Sequence, residues 1–223
     1  MVGVKKLAVI VAAGKGSRLG ESLPKQFLML SGKPVLHWTI QRFYEAGSEV
    51  TVVLHSSMLE FWQQLAVQND TPPHKCIVGG EERFHSVKNA VNAIEDQLGV
   101  VAIHDAARPN ISSALIDLLF ENAQQYQSAI PYTLPADTVR IRREEDTQLV
   151  ERTEVMMIQT PQCFWLADLK EAYQQDYRKS FTDDATVMED YLTAPLHFVE
   201  GEKLNFKITH PSDWEIMQKI FKP

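Results

Sequence analysis

Residues 7–26, LAVIVAAGKGSRLGESLPKQ, constrain this chain more than any other stretch. Residues 7–11 form an uninterrupted apolar run. A strand that is apolar on both faces must be covered on both sides, as in a parallel sheet between two helix layers. The run opens into Ala12-Ala13-Gly14-Lys15-Gly16-Ser17-Arg18. Small residues there let backbone N–H groups come close to a phosphate. Arg18 and, further on, Lys25 add full positive charge. A buried strand that ends in such a loop is a place to hold a nucleoside triphosphate.

Two familiar phosphate loops are excluded. The mononucleotide loop needs G-x-x-x-x-G-K-[ST], and this chain has no glycine at the upstream position. The dinucleotide fingerprint needs G-x-G-x-x-G and an acidic residue after the second strand. Gly14, Gly16 and Gly20 miss that spacing by one residue, and the second apolar run ends at His55. Pro24 also falls where the first helix should already be under way.

The rest of the first half repeats the same rhythm. Strands are predicted at 7–11, 50–54, 75–78, 100–104 and 128–131, with helices at 35–46, 57–66, 83–97 and 112–126. Alternation of this kind gives a parallel sheet with helices on both faces, whose ligands bind at the carboxyl ends of the strands. The Gly14 loop, the Gly79-Gly80 turn and Asp105 then share one rim. The region 137–159 breaks the rhythm: Val139-Arg140-Ile141-Arg142 alternates, a charged tip follows, and Leu149-Val150 returns, as in a β-hairpin. Helices are predicted again at 166–177 and 183–191, then a strand at 196–199 and a last helix from Ser212, capped by Ser212 with Glu215 three residues on. Thr182-Asp183-Asp184 reads as a helix start, with Thr182 as the cap and the two carboxylates facing the helix dipole. With no repeat or linker, residues 1–223 read as one domain with an arm at 137–158.

Composition narrows the function. With 22 Lys+Arg against 29 Asp+Glu the net charge is −7, which argues against non-specific nucleic-acid binding, so any positive site is a local patch. The two cysteines, Cys76 and Cys163, are far apart and read as free thiols of a reducing cytoplasm. The apolar run after Lys5-Lys6 is too short for a signal peptide or a membrane span. No H-E-x-x-H or nucleophile triad is present, and no carboxylate cluster forms a metal cage.

The segment AAGKGSRLG with Pro24-Lys25-Gln26-Phe27 resembles the sugar-phosphate nucleotidyltransferases, and more closely the cytidylyltransferases that act on polyol phosphates. Further islands carry the resemblance along nearly the whole chain: Gly79-Gly80-Glu81-Glu82-Arg83 with Ser86, His104-Asp105-Ala106-Ala107-Arg108-Pro109, Ala136-Asp137-Thr138, Gln159-Thr160-Pro161-Gln162, Thr182-Asp183-Asp184-Ala185 and Asn205-Phe206-Lys207-Ile208-Thr209. Their order is that of the enzymes using CTP and a methylerythritol phosphate. The resemblance implies an α/β, Rossmann-like, mostly parallel sheet with a protruding β-arm for dimerisation, and Mg²⁺ as cofactor.

It also implies roles. Arg18 and Lys25 would stabilise the transition state, and Arg152 and Lys207 would hold the acceptor phosphate. Ala12, Ala13, Gly14, Gly16, Gly80, Glu81 and Ser86 would surround the nucleotide. In the island that also holds Ala106, the Asp105 carboxylate would orient a metal-bound water or an acceptor hydroxyl, and Arg108 would pair with Asp105 or face a phosphate; an Asp105–Arg108 pair that only fixes the loop is the alternative. Thr138 and Thr182 would touch the acceptor, Thr138 and Arg152 in the neighbouring subunit of a homodimer. Ribitol 5-phosphate is the alternative acceptor, disfavoured by Ala12-Ala13-Gly14 and Ala106-Ala107-Arg108. A non-catalytic module of the same fold is a further alternative, disfavoured by the retained cations.

Overall fold

A computed structural model of the chain describes residues 4–14, 23–95 and 98–222. From the first residues, β1 (Lys6–Ala12) leads to β2 (Met29–Leu30), β3 (Lys33–Pro34), α1 (Val35–Glu45), β4 (Glu49–Leu54), α2 (Leu59–Gln68) and β5 (Lys75–Val78). Next come α3 (Arg83–Asn92), β6 (Val100–Asp105), α4 (Ser113–Tyr126) and β7 (Ser128–Thr133). The chain continues through β8 (Val139–Arg142), β9 (Thr147–Val150), β10 (Met157–Ile158), β11 (Gln162–Trp165), α5 (Leu166–Ala172), α6 (Asp184–Glu189), β12 (Phe198–Glu200) and α7 (Pro211–Ile220).

The central sheet runs β10-β7-β11-β6-β1-β4-β5, with β12 also paired to β7. β1 lies at its heart, parallel to β4 on one side and β6 on the other, and β5 extends the parallel run. Residues of β1 divide between two cores, as a fully covered strand requires. Leu7 and Val9 join Val53, Val101 and Ile103 against Phe84, Val87 and Val91 of α3, Leu169 of α5 and Val187 of α6. Ala8, Ile10 and Ala12 join Val52 and Leu54 against Ile40 and Phe43 of α1, Trp62 of α2 and Phe120 of α4. Each buried Val, Leu, Ile or Phe side chain among these contributes roughly 1.5–3 kcal/mol. The expected α/β class, with helices on both faces of a mostly parallel sheet, is what forms.

The sheet holds two strands that the alternation did not predict, β10, antiparallel to β7 at one edge, and β11. β11 inserts antiparallel between β6 and β7, so β7 is not the neighbour of β6. The strand expected at 196–199 is β12, at 198–200. α3 stops at Asn92 rather than 97. α5 stops at Ala172 rather than 177, where Gln175 Nε2 takes up the Ala172 carbonyl at 2.9 Å. The last helix starts earlier than Ser212. His210 is its N-cap, Pro211 takes the first turn, where its missing N–H costs nothing, and the Asp213 carboxylate accepts from the N–H groups of Thr209 and His210 at 2.8 and 2.7 Å.

The predicted hairpin forms as β8 and β9, registered from Val139↔Val150 to Arg142↔Thr147. Among the described residues, its strands pair with each other and with no strand of the central sheet.

Candidate active site

Strand register brings the predicted rim together. Val11 lies beside Asp105, Ala12 beside Leu54, and Leu54 beside Val78. Beyond these ends is a cleft of about 450 Å³. Ala12, Ala13 and Gly14 line it from β1, and Gly80, Glu81, Glu82, Arg83 and Ser86 from the turn into α3. Asp105, Ala106 and Ala107 line it from β6, with Lys25, Gln26 and Lys207 completing the wall.

The turn after β5 needs both its glycines. A Cβ at Gly79 would stand 2.7 Å from Ala13 Cβ and 2.8 Å from Ser86 Oγ, and one at Gly80 would stand 2.3 Å from His85 Cβ. The turn therefore lies directly against the loop that follows β1. Ser86 Oγ accepts from the Gly80 N–H at 3.1 Å and holds the turn to the first turn of α3. On the other side, Gln26 is 5 % exposed and its Nε2 donates to the carbonyls of Ala12 and Gly14 at 2.7 and 3.0 Å. One amide thus fixes both ends of the Ala12–Gly14 turn.

Asp105 is the floor of the cleft. Its Oδ2 is 2.9 Å from Lys207 Nζ and 3.6 Å from Arg108 Nε, and its Oδ1 is 3.7 Å from Arg83 Nε. Burial opposes its charge, but Arg83, Lys207 and Arg108 together outweigh burial and hold the carboxyl far below the usual range. Arg83 is in turn gripped from behind. Its two terminal nitrogens donate to the two oxygens of Asp184 at 2.9 and 2.7 Å, and Asp184 is fully buried. Burial works against the Arg83 charge as well, and Asp184 more than restores it.

A strap formed by residues 205–209 closes the cleft. The Ile208 N–H donates to the Ala107 carbonyl at 2.9 Å, and the Ile208 carbonyl accepts from Lys25 Nζ at 2.5 Å. Arg108 Nη1 donates to the Asn205 carbonyl at 2.8 Å. Lys25 and Lys207, distant in sequence, therefore reach the same cavity from adjoining backbone.

His104 lies beneath the floor and is fully buried. Thr160 Oγ1 accepts from the Asp105 N–H at 3.1 Å, so its own proton points to His104 Nδ1 at 3.0 Å. The Nε2–H is left to donate to the Arg108 carbonyl at 3.0 Å. Burial pushes the imidazole down to about 4, so it stays neutral at ordinary pH. With both nitrogens occupied, it is a structural group and not a base for the cleft.

Of the residues singled out in the sequence, Ala12, Ala13, Gly14, Lys25, Gly80, Glu81, Ser86, Asp105, Ala106 and Lys207 meet in the cleft. Arg108 stands behind it, paired with Asp105 and tied to the strap. Gly16 and Arg18 lie outside the described residues. Thr138 and Arg152 are exposed near the hairpin, where Arg152 Nη1 donates to the Ala136 carbonyl at 3.0 Å. Thr182 is exposed and does not line the cleft; nor is it the cap of α6. Asp183 caps that helix by accepting from the Thr186 N–H at 3.0 Å, and Asp184 turns inward to Arg83 instead of toward the helix dipole. Gln26 and Arg83 line the cleft without having been assigned a role in the sequence. The only signal for either was its place inside an island of resemblance.

Comparison with known proteins agrees with this geometry. The family model described as IspD, 2-C-methyl-D-erythritol 4-phosphate cytidylyltransferase, matches residues 6–222. The 2-C-methyl-D-erythritol 4-phosphate cytidylyltransferase of Bacteroides thetaiotaomicron is 41 % identical over 216 residues, covering 96 % of this chain and 98 % of that one. The crystal structure of the protein of that name from Thermus thermophilus matches with a TM-score of 0.74 at 30 % identity, covering 95 % of this chain and 96 % of that one. The bifunctional IspDF of Campylobacter jejuni matches with a TM-score of 0.80 at 27 % identity; 95 % of this chain is covered, but only 53 % of that longer one.

Proposed function

The chain belongs to the 2-C-methyl-D-erythritol 4-phosphate cytidylyltransferase family, and we propose that it joins the phosphate of 2-C-methyl-D-erythritol 4-phosphate to the α-phosphorus of CTP. The products are 4-diphosphocytidyl-2-C-methyl-D-erythritol and pyrophosphate, a step in non-mevalonate isoprenoid precursor synthesis. The observation that carries this reading is the cleft at the carboxyl rim, where a small-residue loop, the Gly79-Gly80 turn and the cations Lys25, Arg83 and Lys207 converge.

The chemistry needs few protein groups. A phosphomonoester has its second pKa near about 6, so the attacking oxygen is already anionic at neutral pH. That oxygen forms a bond to the α-phosphorus, the bond from phosphorus to the bridging oxygen breaks, and pyrophosphate leaves with the electron pair. No base is required, which fits a cleft with a buried, fully bonded histidine beneath its floor. What the reaction does require is that two polyanions be held together and that charge growing on the phosphates be met by preset cations.

Lys25 and Arg18 are assigned to the triphosphate, Lys25 because it faces the cleft beside the Ala12–Gly14 turn. Lys207 is assigned to the acceptor phosphate, held there by Asp105. The backbone of Ala12, Ala13 and Gly80, with Glu81 and Ser86, would enclose the base and ribose. Asp105 is the rim carboxylate that would orient Mg²⁺ or its water. Among the described residues no group of three His, Cys, Asp or Glu side chains comes together, so substrate phosphates would supply the remaining ligands. When bound, Mg²⁺ would offset charge on the phosphate oxygens.

Residues 1–223 act as one catalytic unit, with residues 137–158 as an arm that reaches a second copy. Thr138 and Arg152 would then complete the partner's site; their exposure beside the hairpin, with Ile141 and Leu149 also exposed at 42 % and 60 %, supports this. The two free cysteines support a cytoplasmic location, and no described helix is long and apolar enough to cross a membrane.

Pyrophosphate release tests the reading. Purified protein with CTP and Mg²⁺ should turn over methylerythritol 4-phosphate and not ribitol 5-phosphate, and ATP or UTP should not replace CTP. Turnover of ribitol phosphate alone would move the protein to another acceptor class.

A further inference from the structure

We infer that Arg83 is a positioning residue of the transfer reaction, set in direction by the buried carboxylate of Asp184; the inference rests on the cytidylyl-transfer reading above. Asp184 does not line the cleft, yet it controls a group that does. It accepts both terminal nitrogens of Arg83, at 2.9 and 2.7 Å, and also the hydroxyl of Tyr173 at 2.6 Å. A guanidinium held by two parallel hydrogen bonds has a single orientation. That orientation leaves the remaining edge, Nε, 3.7 Å from Asp105 Oδ1.

Asp105 then passes the constraint on. With one oxygen facing Arg83, its other oxygen lies 2.9 Å from Lys207 Nζ. The order of support is Asp184, Arg83, Asp105, Lys207, running from the fully buried core to a side chain that is 43 % exposed. The base of this chain is itself fixed. The helix start that carries Asp184 is clasped by Gln162, whose Nε2 donates to Asp183 Oδ2 at 2.9 Å and whose Oε1 accepts from the Ala185 N–H at 2.7 Å.

Stability alone gives little reason for such a pair. A buried ion pair seldom adds stability over apolar side chains of the same volume. Direction is what a fork provides and a point charge does not. A lysine at position 83 would keep the charge, but it could not bond both oxygens of Asp184 and still place a charged nitrogen 3.7 Å from Asp105 Oδ1. Lys207 would then sample several positions, and a misplacement of about 1 Å can cost on the order of a hundredfold in rate.

The test is steady-state kinetics with CTP and methylerythritol 4-phosphate for wild type, R83K, D184N, R83K/D184N and Y173F, with thermal melting of each. Turnover by the wild type checks the parent reading; without it that reading fails, and the inference with it. Given wild-type turnover, R83K and D184N should each lower kcat about tenfold to a hundredfold, with KM for CTP changed less than about threefold. The double variant should be no worse than either single one, because the two residues act as one unit. Y173F keeps every charge and removes one hydrogen bond from Asp184, so it should lose kcat in the same direction by a smaller factor even if D184N does not fold. Full kcat in folded R83K, or losses that multiply in the double variant, would overturn the inference. So would variants that melt earlier yet turn over like the wild type.

Discussion

The cleft rim and the β8–β9 hairpin are both built from charged and polar side chains, yet they are held in opposite ways. At the rim, three cations have partners brought from far away in sequence: Arg83 on Asp184, Lys207 on Asp105, Lys25 on the carbonyl of Ile208. In the hairpin, Arg140 bonds Thr147 across the turn, Arg143 bonds Gln148, and the strands pair with nothing of the central sheet. The rim is preset by the core beneath it. Among the described residues the hairpin strands pair only with each other, and their Ile141 and Leu149 are exposed. A site that must meet charge at the moment of reaction benefits from the first arrangement; the hairpin, as the arm proposed above, would rely on a second copy for the rest.

Breaking the rim at a cation should have the largest effect. K25A is expected to lower kcat about a hundredfold to a thousandfold, or roughly 3–4 kcal/mol, with a smaller change in KM, as stopped-time pyrophosphate assays would show. A KM effect alone would mean that Lys25 binds substrate without acting on the transition state.

Acid should come next, through the floor of the rim. Unfolded His104 takes up a proton near 6.5, while the folded imidazole waits until about 4. The unfolded state therefore binds more protons between those values, and stability falls as pH drops through that window, by roughly 3 kcal/mol in full. Asp105 adds its own loss only below its ordinary value of 3.8, because its folded carboxyl is held lower still. Urea midpoints of wild type and H104Q at pH 7.5, 5.5 and 4.5 would reveal the slope; the two proteins falling in parallel would remove His104 as its cause.

G80A should follow at about 2 kcal/mol of stability. The added Cβ meets His85 Cβ at 2.3 Å and the His85 backbone at 3.1 Å, and the turn must shift away from His85. A melting temperature unchanged by this substitution would show that the turn is looser than the rim around it.

The hairpin should give the smallest change in the fold and a distinct one in assembly. L149D is expected to alter monomer stability by less than about 0.5 kcal/mol, since Leu149 is 60 % exposed. Light scattering should nevertheless register a shift from dimer to monomer. An unaffected mass would remove the hairpin from the proposed dimer.

These two regions also differed in how far the sequence disclosed them. β1, β4, β5 and β6 were legible because continuous apolar runs and small-residue turns are local signals, and their shared rim followed from the alternation alone. β11 was not: Gln162-Cys163-Phe164-Trp165 is short, opens on a polar residue and enters the sheet between strands that an alternating pattern makes neighbours. Arg83 and Asp184 lie 101 residues apart, and no local pattern marks one as the partner of the other. Asp184 instead looked like an ordinary acidic first-turn residue, because helix-dipole logic does not know which way the core lies. Gln26 would pass for a solvated amide; only the closeness of two carbonyls shows why it is buried. The hairpin was plain from its alternation, while anything Thr138 and Arg152 do in a second copy cannot be read from one chain.

The strap at 205–209 sets an order of events in time. Every strand of the sheet, β12 included, precedes it along the chain. A ribosome that has delivered the whole sheet has still not delivered Lys207, nor the Ile208 carbonyl that steadies Lys25. The scaffold can therefore condense during translation, while the charged pocket is completed only once residues 205–209 have followed it.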